Sequence, residues 1–317
     1  AIETVLNQEV VGTTLPTAFE VYTKKLFGEE RYNVFCKGLQ QPSPVSIRLN
    51  PFKTSETTKV ADSFAPTPVA WCKEGFYLNA RPNFTFDPLF HAGAYYVQEA
   101  SSMFLSHVLR CLVRNPVALL DLCAAPGGKT TCARTAIAEG SIVFSNEPIN
   151  KRAQILAENV QKFGHSDVVV TNNYPGDYKK TKLAFDVIVA DVPCSGEGMF
   201  RKDEQAREEW SPAAVISCAD RQRDILTAVW PALKDGGFCV YSTCTFNREE
   251  NEDLVAWACD TLGAELVEIP TDSAWNIAGD TTGRNLSVYH FFPHRTEGEG
   301  LFLALLRKKK GEMFNDR

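Results

Sequence analysis

Between residues 117 and 243 the chain alternates short apolar, β-branched runs with longer stretches of helical spacing. The runs are Val117 to Leu122, Ile142 to Phe144, Val168 to Val170, Phe185 to Ala190 and Phe238 to Ser242. Such runs read as buried strands, and their alternation with helices demands a parallel sheet with right-handed crossovers. The fold class expected is therefore α/β and Rossmann-like, with Val288 to Phe292 and Leu301 to Leu306 as a closing antiparallel pair. A parallel sheet collects its chemistry at the carboxyl ends of its strands. Here those ends are polar turns: Cys123 to Thr131, Asn146-Glu147, Thr171 to Tyr174, Asp191 to Gly196, and Thr243-Cys244-Thr245.

The flanks have a different character. Phe19, Tyr22, Leu26, Tyr32 and Phe35 recur at helical spacing between Pro16 and Leu39, which predicts an amphipathic region broken into two helices near Gly28. Extended pieces follow at Val45 to Leu49, Val69 to Trp71 and Phe76 to Leu78. A small α+β unit over residues 1–90 thus precedes the main domain over 91–317. Alternation in Ser46 to Pro51 puts Arg48 and Asn50 on one face, where they either grip a phosphate and a base edge or form an exposed polar face. Tyr95, Tyr96 and Gln98 either stack on and hydrogen-bond a base or pack a domain interface. Phe104, Leu105, Val108 and Leu112 form the buried stripe of the next helix, and Ile155 with Val160 is expected to anchor the helix before the third parallel strand.

Composition excludes several classes. A net charge of −6 argues against nucleic-acid binding through a general positive field, so any RNA is held by local basic groups: Lys24-Lys25, Arg48 with Lys53, Arg201-Lys202 or Arg307 to Lys310. No run of apolar residues is long enough to span a bilayer, and the N-terminus lacks the pattern of a signal peptide, so a cytoplasmic protein is expected. The ten cysteines include no C-x-x-C pair, which points away from a zinc site and towards reduced thiols; Cys36, Cys111, Cys132, Cys239 and Cys259 sit among apolar neighbours as core residues.

The first turn narrows the ligand. Pro126-Gly127-Gly128-Lys129-Thr130 fails the spacing of a phosphate loop and is not G-x-G-x-x-G. Small residues and two glycines still let a ligand approach the backbone, and Glu147, one strand further on, is placed to hold a ribose hydroxyl. A nucleoside without a pyrophosphate suits this pattern, and S-adenosylmethionine is the common one. Its adenine is expected near Thr171 to Tyr174.

These elements together resemble the RNA (cytosine-5)-methyltransferases of the RsmB/Nop/Sun superfamily, and are most similar to the bacterial RsmF-type 16S rRNA enzymes. The resemblance rests on the Arg48/Asn50 segment, Tyr96 to Glu99 with Ser101-Ser102, Asp121 to Thr130, Glu147, Asp191 to Gly196 and Ser242 to Thr245. It implies a class I S-adenosylmethionine-dependent methyltransferase domain with a seven-stranded mixed sheet, behind a smaller N-terminal RNA-binding domain. It also implies that Cys123, Ala124, Ala125, Pro126, Gly127, Gly128, Lys129 and Glu147 bind the cofactor, and that Asp191 lies beside both cofactor and base. Cys244 is then the nucleophile and Cys194 assists release, while Arg48, Asn50, Gln98, Arg201 and Lys202 are the expected RNA contacts. Where many relatives carry an acid after the third strand, this chain has Asn172-Asn173-Tyr174, so Asn173 is taken as the replacement contact. Relatives commonly continue into further RNA-binding modules, whereas this sequence stops soon after Lys310.

The implied reaction is methylation of carbon 5 of a cytidine in RNA, in 16S rRNA or the small subunit, by a monomer that needs no metal and no membrane. Two alternatives stay open: the same reaction on tRNA, and a cofactor-binding ribosome-assembly factor that does not methylate. A reversed assignment is also open, because DNA cytosine methyltransferases use a Pro-Cys nucleophile like Pro193-Cys194.

Overall fold

The computed structural model describes residues 15–55 and 60–310. The first fourteen residues of the expected N-terminal unit lie outside it. Two helices open the described chain, α1 (Thr17–Phe27) and α2 (Glu29–Leu39), separated by Gly28 at φ +81. That backbone region disfavours any side chain, so the break falls where the sequence placed it. Strands β1 (Val45–Leu49), β2 (Thr67–Val69) and β3 (Cys72–Leu78) follow, then the short helix α3 (Pro88–His91) and strand β4 (Tyr95–Val97). They form an antiparallel sheet in the order β2-β3-β1-β4. Strand β4, beyond the residue-90 boundary, therefore belongs to the N-terminal sheet.

Helix α4 (Phe104–Leu112) leads into the larger sheet. Its parallel elements are β5 (Ala118–Asp121), α5 (Gly128–Ala136), β6 (Ile142–Asn146), α6 (Asn150–Phe163), β7 (Val168–Thr171) and β8 (Phe185–Asp191). Helices α7 (Glu204–Glu209) and α8 (Pro212–Val229) then precede β9 (Leu233–Thr243), α9 (Glu252–Leu262), β10 (Ala264–Leu266), β11 (Tyr289–Phe291) and β12 (Leu301–Lys308). Seven strands run in the order β10-β12-β9-β8-β5-β6-β7, and β11 pairs with β12 as an eighth. Pairs among β5 to β9 are parallel, whereas β12 is antiparallel to both β9 and β10. The order reverses between β5 and β8, which opens a crevice above their carboxyl ends.

Apolar layers cover both faces of the sheet. One holds Phe104, Val108, Leu119, Val189 and Phe291; the other holds Leu120, Ile188, Leu226, Tyr241 and Phe302. Cys132 and Cys239 are buried in these layers, Cys111 and Cys259 are half-buried at their margins, and Cys36 is half-buried against a separate cluster around Phe19 and Phe35. The expectation for α6 needs correction. Ile155 is 46% exposed, and the buried stripe is Ala153, Leu156, Val160 and Phe163, whose three- and four-residue spacing keeps one helical face. No described helix is long and apolar enough to cross a membrane.

Candidate active site

Strand β5 delivers Asp121 to the crevice, and the chain then turns through Cys123 to Pro126 into α5. Gly127, at φ +120, makes the turn that only glycine tolerates comfortably. Asp121 is fully buried and accepts a hydrogen bond from Thr130 Oγ1 at 2.7 Å. Burial, with Asp191 and Glu147 adding to it, pushes its carboxyl up to about 7. Glu147, from the end of β6, is also buried; its Oε2 accepts from the Ile149 amide at 3.0 Å. Neither Asp121 Oδ1 nor Glu147 Oε1 has a hydrogen-bond partner among the described residues, although the Arg152 guanidinium lies 3.9 Å from the latter. Buried carboxylate oxygens without donors are costly, and one at a glycine turn fits a ligand that brings hydroxyls. The site therefore fits a ribose-bearing cofactor.

At the exit of β7, Asn146 fixes Asn173 through its backbone: the Asn173 amide donates to Asn146 Oδ1 at 3.0 Å and its carbonyl accepts from Nδ2 at 2.9 Å. The neighbouring Asn172 Nδ2 donates to the Glu147 carbonyl at 2.7 Å, which ties the turn after β7 to the turn after β6.

Strands β8 and β9 bring the two thiols together. Cys194 Sγ and Cys244 Sγ lie 2.9 Å apart, in adjacent turns separated by 50 residues of chain. Below them Asp191 accepts from Lys129 Nζ at 3.0 Å and from Ser242 Oγ at 2.8 Å. Burial works against the Lys129 ammonium, but the Asp191 carboxylate outweighs it and holds Lys129 above the usual lysine range. The hydrogen bond to Cys244 and burial hold the Cys194 thiol well above its ordinary value.

The expected RNA contacts fall mostly elsewhere. Arg48, Asn50 and Gln98 are buried between the N-terminal sheet and the main domain, which corrects the open face expected for Arg48 and Asn50 and leaves none of the three exposed to RNA. Arg48 donates to Gln98 Oε1 at 3.1 Å, to the Gly128 carbonyl at 3.3 Å and to Thr131 Oγ1. Asn50 Nδ2 donates to the carbonyls of Gly93 and Phe163 at 2.9 and 3.0 Å. Tyr96 packs beneath the Arg48 guanidinium, 5.4 Å from it, so the interface alternative describes this segment. Arg201 is also spent internally: it pairs with Glu299 at 3.2 Å and donates to the carbonyls of Gly298 and Gln41. Lys202 remains 42% exposed, 3.5 Å from Glu299. Of the carboxy-terminal basic run, Lys308 caps the carbonyls of Trp230 and Leu233.

The sequence reading missed Glu197, Glu250, Asn247 and Gln222, all buried around the two thiol turns. The signal the sequence offers is a cluster of polar residues, Asn247 to Asn251, directly after a buried strand, a pattern that equally suits the start of a helix.

The strand order and the crevice define a Rossmann-like α/β fold with its site at the carboxyl ends of the parallel strands. A family model for the 16S rRNA methyltransferase RsmB/F matches residues 111–307, and one for the N-terminal domain of 16S rRNA methyltransferase RsmF matches 15–100. The chain belongs to the 16S rRNA methyltransferase RsmB/F family, whose members depend on S-adenosylmethionine. Ribosomal RNA small subunit methyltransferase F of Klebsiella pneumoniae (strain 342) is 36% identical over 293 residues, covering 87% of this chain and 60% of its own length. The same-named protein of Enterobacter sp. (strain 638) is 35% identical over 289 residues, covering 87% and 59%. The chain thus spans about 60% of the length of these curated relatives. Among solved structures, NSun6 from Pyrococcus horikoshii with SFG superposes with a TM-score of 0.81 at 21% identity, over 94% of this chain and 99% of that one. A methyltransferase homolog protein from Pyrococcus horikoshii gives 0.72 at 26%, over 89% and 92%.

Proposed function

We propose that this chain methylates carbon 5 of a cytidine in 16S rRNA, in the cytoplasm, through a covalent adduct between Cys244 and carbon 6 of the base. The observation that carries this reading is the pair of thiols 2.9 Å apart beside the Lys129–Asp191 pair and next to the glycine turn. S-adenosylmethionine, held by the Cys123 to Lys129 turn, Glu147 and the Asn173 exit, supplies the methyl group.

Carbon 5 of cytosine is a poor nucleophile until the ring is broken. Addition of the Cys244 thiolate to carbon 6 makes carbon 5 enamine-like, able to take the methyl group. Asp191, oriented by Lys129 and Ser242, hydrogen-bonds the polar edge of the base and stabilises the adduct. Afterwards the carbon-5 proton must leave before the carbon–sulfur bond can break and return the Cys244 thiolate. Cys194 suits that step by its changing environment. Once the Cys244 sulfur is bonded to carbon it no longer holds the Cys194 proton within the pair; Cys194 gives that proton up to solvent and, as the thiolate, takes the carbon-5 proton while the electrons of that bond expel Cys244. The N-terminal unit, extended to the end of β4, serves as the RNA-facing domain.

Labelled methyl transfer to unmodified small-subunit RNA, with the modified nucleotide mapped, tests the activity. Denaturing gels of the two cysteine variants test the roles. Cys244→Ala forms no RNA adduct, and Cys194→Ala accumulates one; the reverse pattern makes Cys194 the nucleophile.

A further inference from the structure

The two thiol turns are tied together by buried carboxylates that cross between them. Glu197, from the Cys194 turn, accepts the amides of Phe246 and Asn247 behind Cys244, at 2.8 and 3.1 Å. Glu250, from the Cys244 side, reaches back to the residue after Cys194: its Oε1 accepts the Ser195 amide at 2.9 Å and its Oε2 the Ser195 hydroxyl at 2.5 Å. Gln222 Nε2 donates to Glu250 Oε1 at 3.0 Å, and Asn247 Nδ2 donates to both carboxylates. The Gly198 amide closes the arrangement on the Cys244 carbonyl at 2.6 Å.

We propose that Glu250, with Glu197 as its counterpart, is a positioning residue that holds Cys194 at its working distance from Cys244 by fixing Ser195 at two atoms. The proposal rests on the functions given above to the two thiols. Helix capping does not account for the carboxylate. Helix α9 begins at Glu252, and the carboxylate of Glu250 takes no amide from that helix. Four donors converge on it, and only an ionised carboxyl offers four acceptor sites without a hydrogen of its own. The arrangement is expensive: burial, with Glu197 beside it, pushes Glu250 up to about 7. Glutamine at this position turns an amide group towards two donors, so Glu250→Gln releases Ser195 on one side while preserving volume.

Phenylarsine oxide reads the thiol geometry without RNA, because it bonds two neighbouring thiols at once, their protons leaving with the arsenic oxygen as water. Binding is measured in the 317-residue chain, with Cys194→Ala as the background. The expected result for Glu250→Gln is at least tenfold weaker arsenical binding, a covalent RNA adduct at least tenfold longer-lived, and S-adenosylmethionine affinity within twofold of the parent. Unchanged arsenical affinity in the folded variant overturns the proposal whatever the RNA assay gives, and a parallel loss of cofactor affinity also overturns it, reducing Glu250 to general support of the fold. If Cys194→Ala accumulates no adduct, the release function of Cys194 fails, and the arsenical result alone decides the positioning. If Glu250→Gln does not fold, Ser195→Ala decides: it deletes one of the two bonds, and threefold weaker arsenical binding supports the proposal while none overturns it.

Discussion

Asp121 and Glu250 are both acids raised to about 7, one under the Gly127-Gly128 turn and one under the thiols. In each case burial is the larger cause and neighbouring carboxylates add to it. A raised acid binds its proton more tightly folded than unfolded, so its contribution to stability is fully present below the unfolded value and is lost as pH rises through about 7. Each tenfold difference in proton affinity between the two states amounts to about 1.4 kcal/mol. Thermal melts between pH 5 and 8 should therefore show stability from these groups falling as pH rises. Asp121→Asn keeps an acceptor for Thr130 but has no charge to bury, so it should flatten that slope and gain most over the parent at pH 8. An unchanged slope in the variant would place the pH dependence elsewhere. Chemically, the same two acids mark the two halves of the site, a region where perturbed ionisation is the usual sign of function.

At the level of elements, the thiol-bearing turns approach so closely that a Cβ on Gly198 would run into the Cys244 carbonyl, with the Glu299 carbonyl 3.2 Å away on another side. Gly198→Ala must therefore push the turns apart and lose the 2.6 Å bond between them. The expected cost is about 1–3 kcal/mol of stability, with methyl transfer falling more than tenfold and cofactor affinity unchanged, as read by melting, single-turnover assay and calorimetry. The strands bearing these turns were legible because buried parallel strands are continuous apolar runs, and Asp191, Cys194 and Cys244 stood out as polar ends of such runs. What was hidden depends on partners remote in sequence. Asn247 and Glu250 look like the start of a helix, yet their side chains are committed to the other turn and α9 begins at Glu252. Strand β9 starts at Leu233, well before Phe238, because Gly236-Gly237 does not interrupt it; a Cβ on Gly237 would sit 2.9 Å from the Asp186 carbonyl of the neighbouring strand. Three-residue β10 carries too little pattern to be read at all.

Across the whole molecule, the N-terminal unit buttresses both halves of the crevice. Helices α1 and α2 send Phe19 and Phe35 into an aromatic cluster with Phe200, Trp210, Phe246 and Phe292, directly behind the thiol turns. Strand β1 and the residue after it do the same for the Gly127-Gly128 turn and its surroundings, but with polar groups. Turns expose carbonyls that need donors once they are covered, and the face of β1 that alternation marks as polar supplies them: Arg48 to Gly128, Asn50 to Gly93 and Phe163. Polarity alone cannot distinguish that face from one meant for solvent or RNA, which is why Arg48 read as an RNA contact. Arg48→Met separates the two functions, since it keeps the stem and removes the donors. With Arg48 as a buttress, the variant loses roughly 2–3 kcal/mol, the scale of a hydrogen bond from a charged group left unmade, and binds S-adenosylmethionine more weakly because Gly128 and Thr131 lose their anchor. Its RNA affinity at saturating cofactor stays near that of the parent. If instead melting and cofactor calorimetry are unchanged and only RNA binding falls, the side chain leaves its buried site to meet RNA, and the first turn of the crevice is held by the main domain alone.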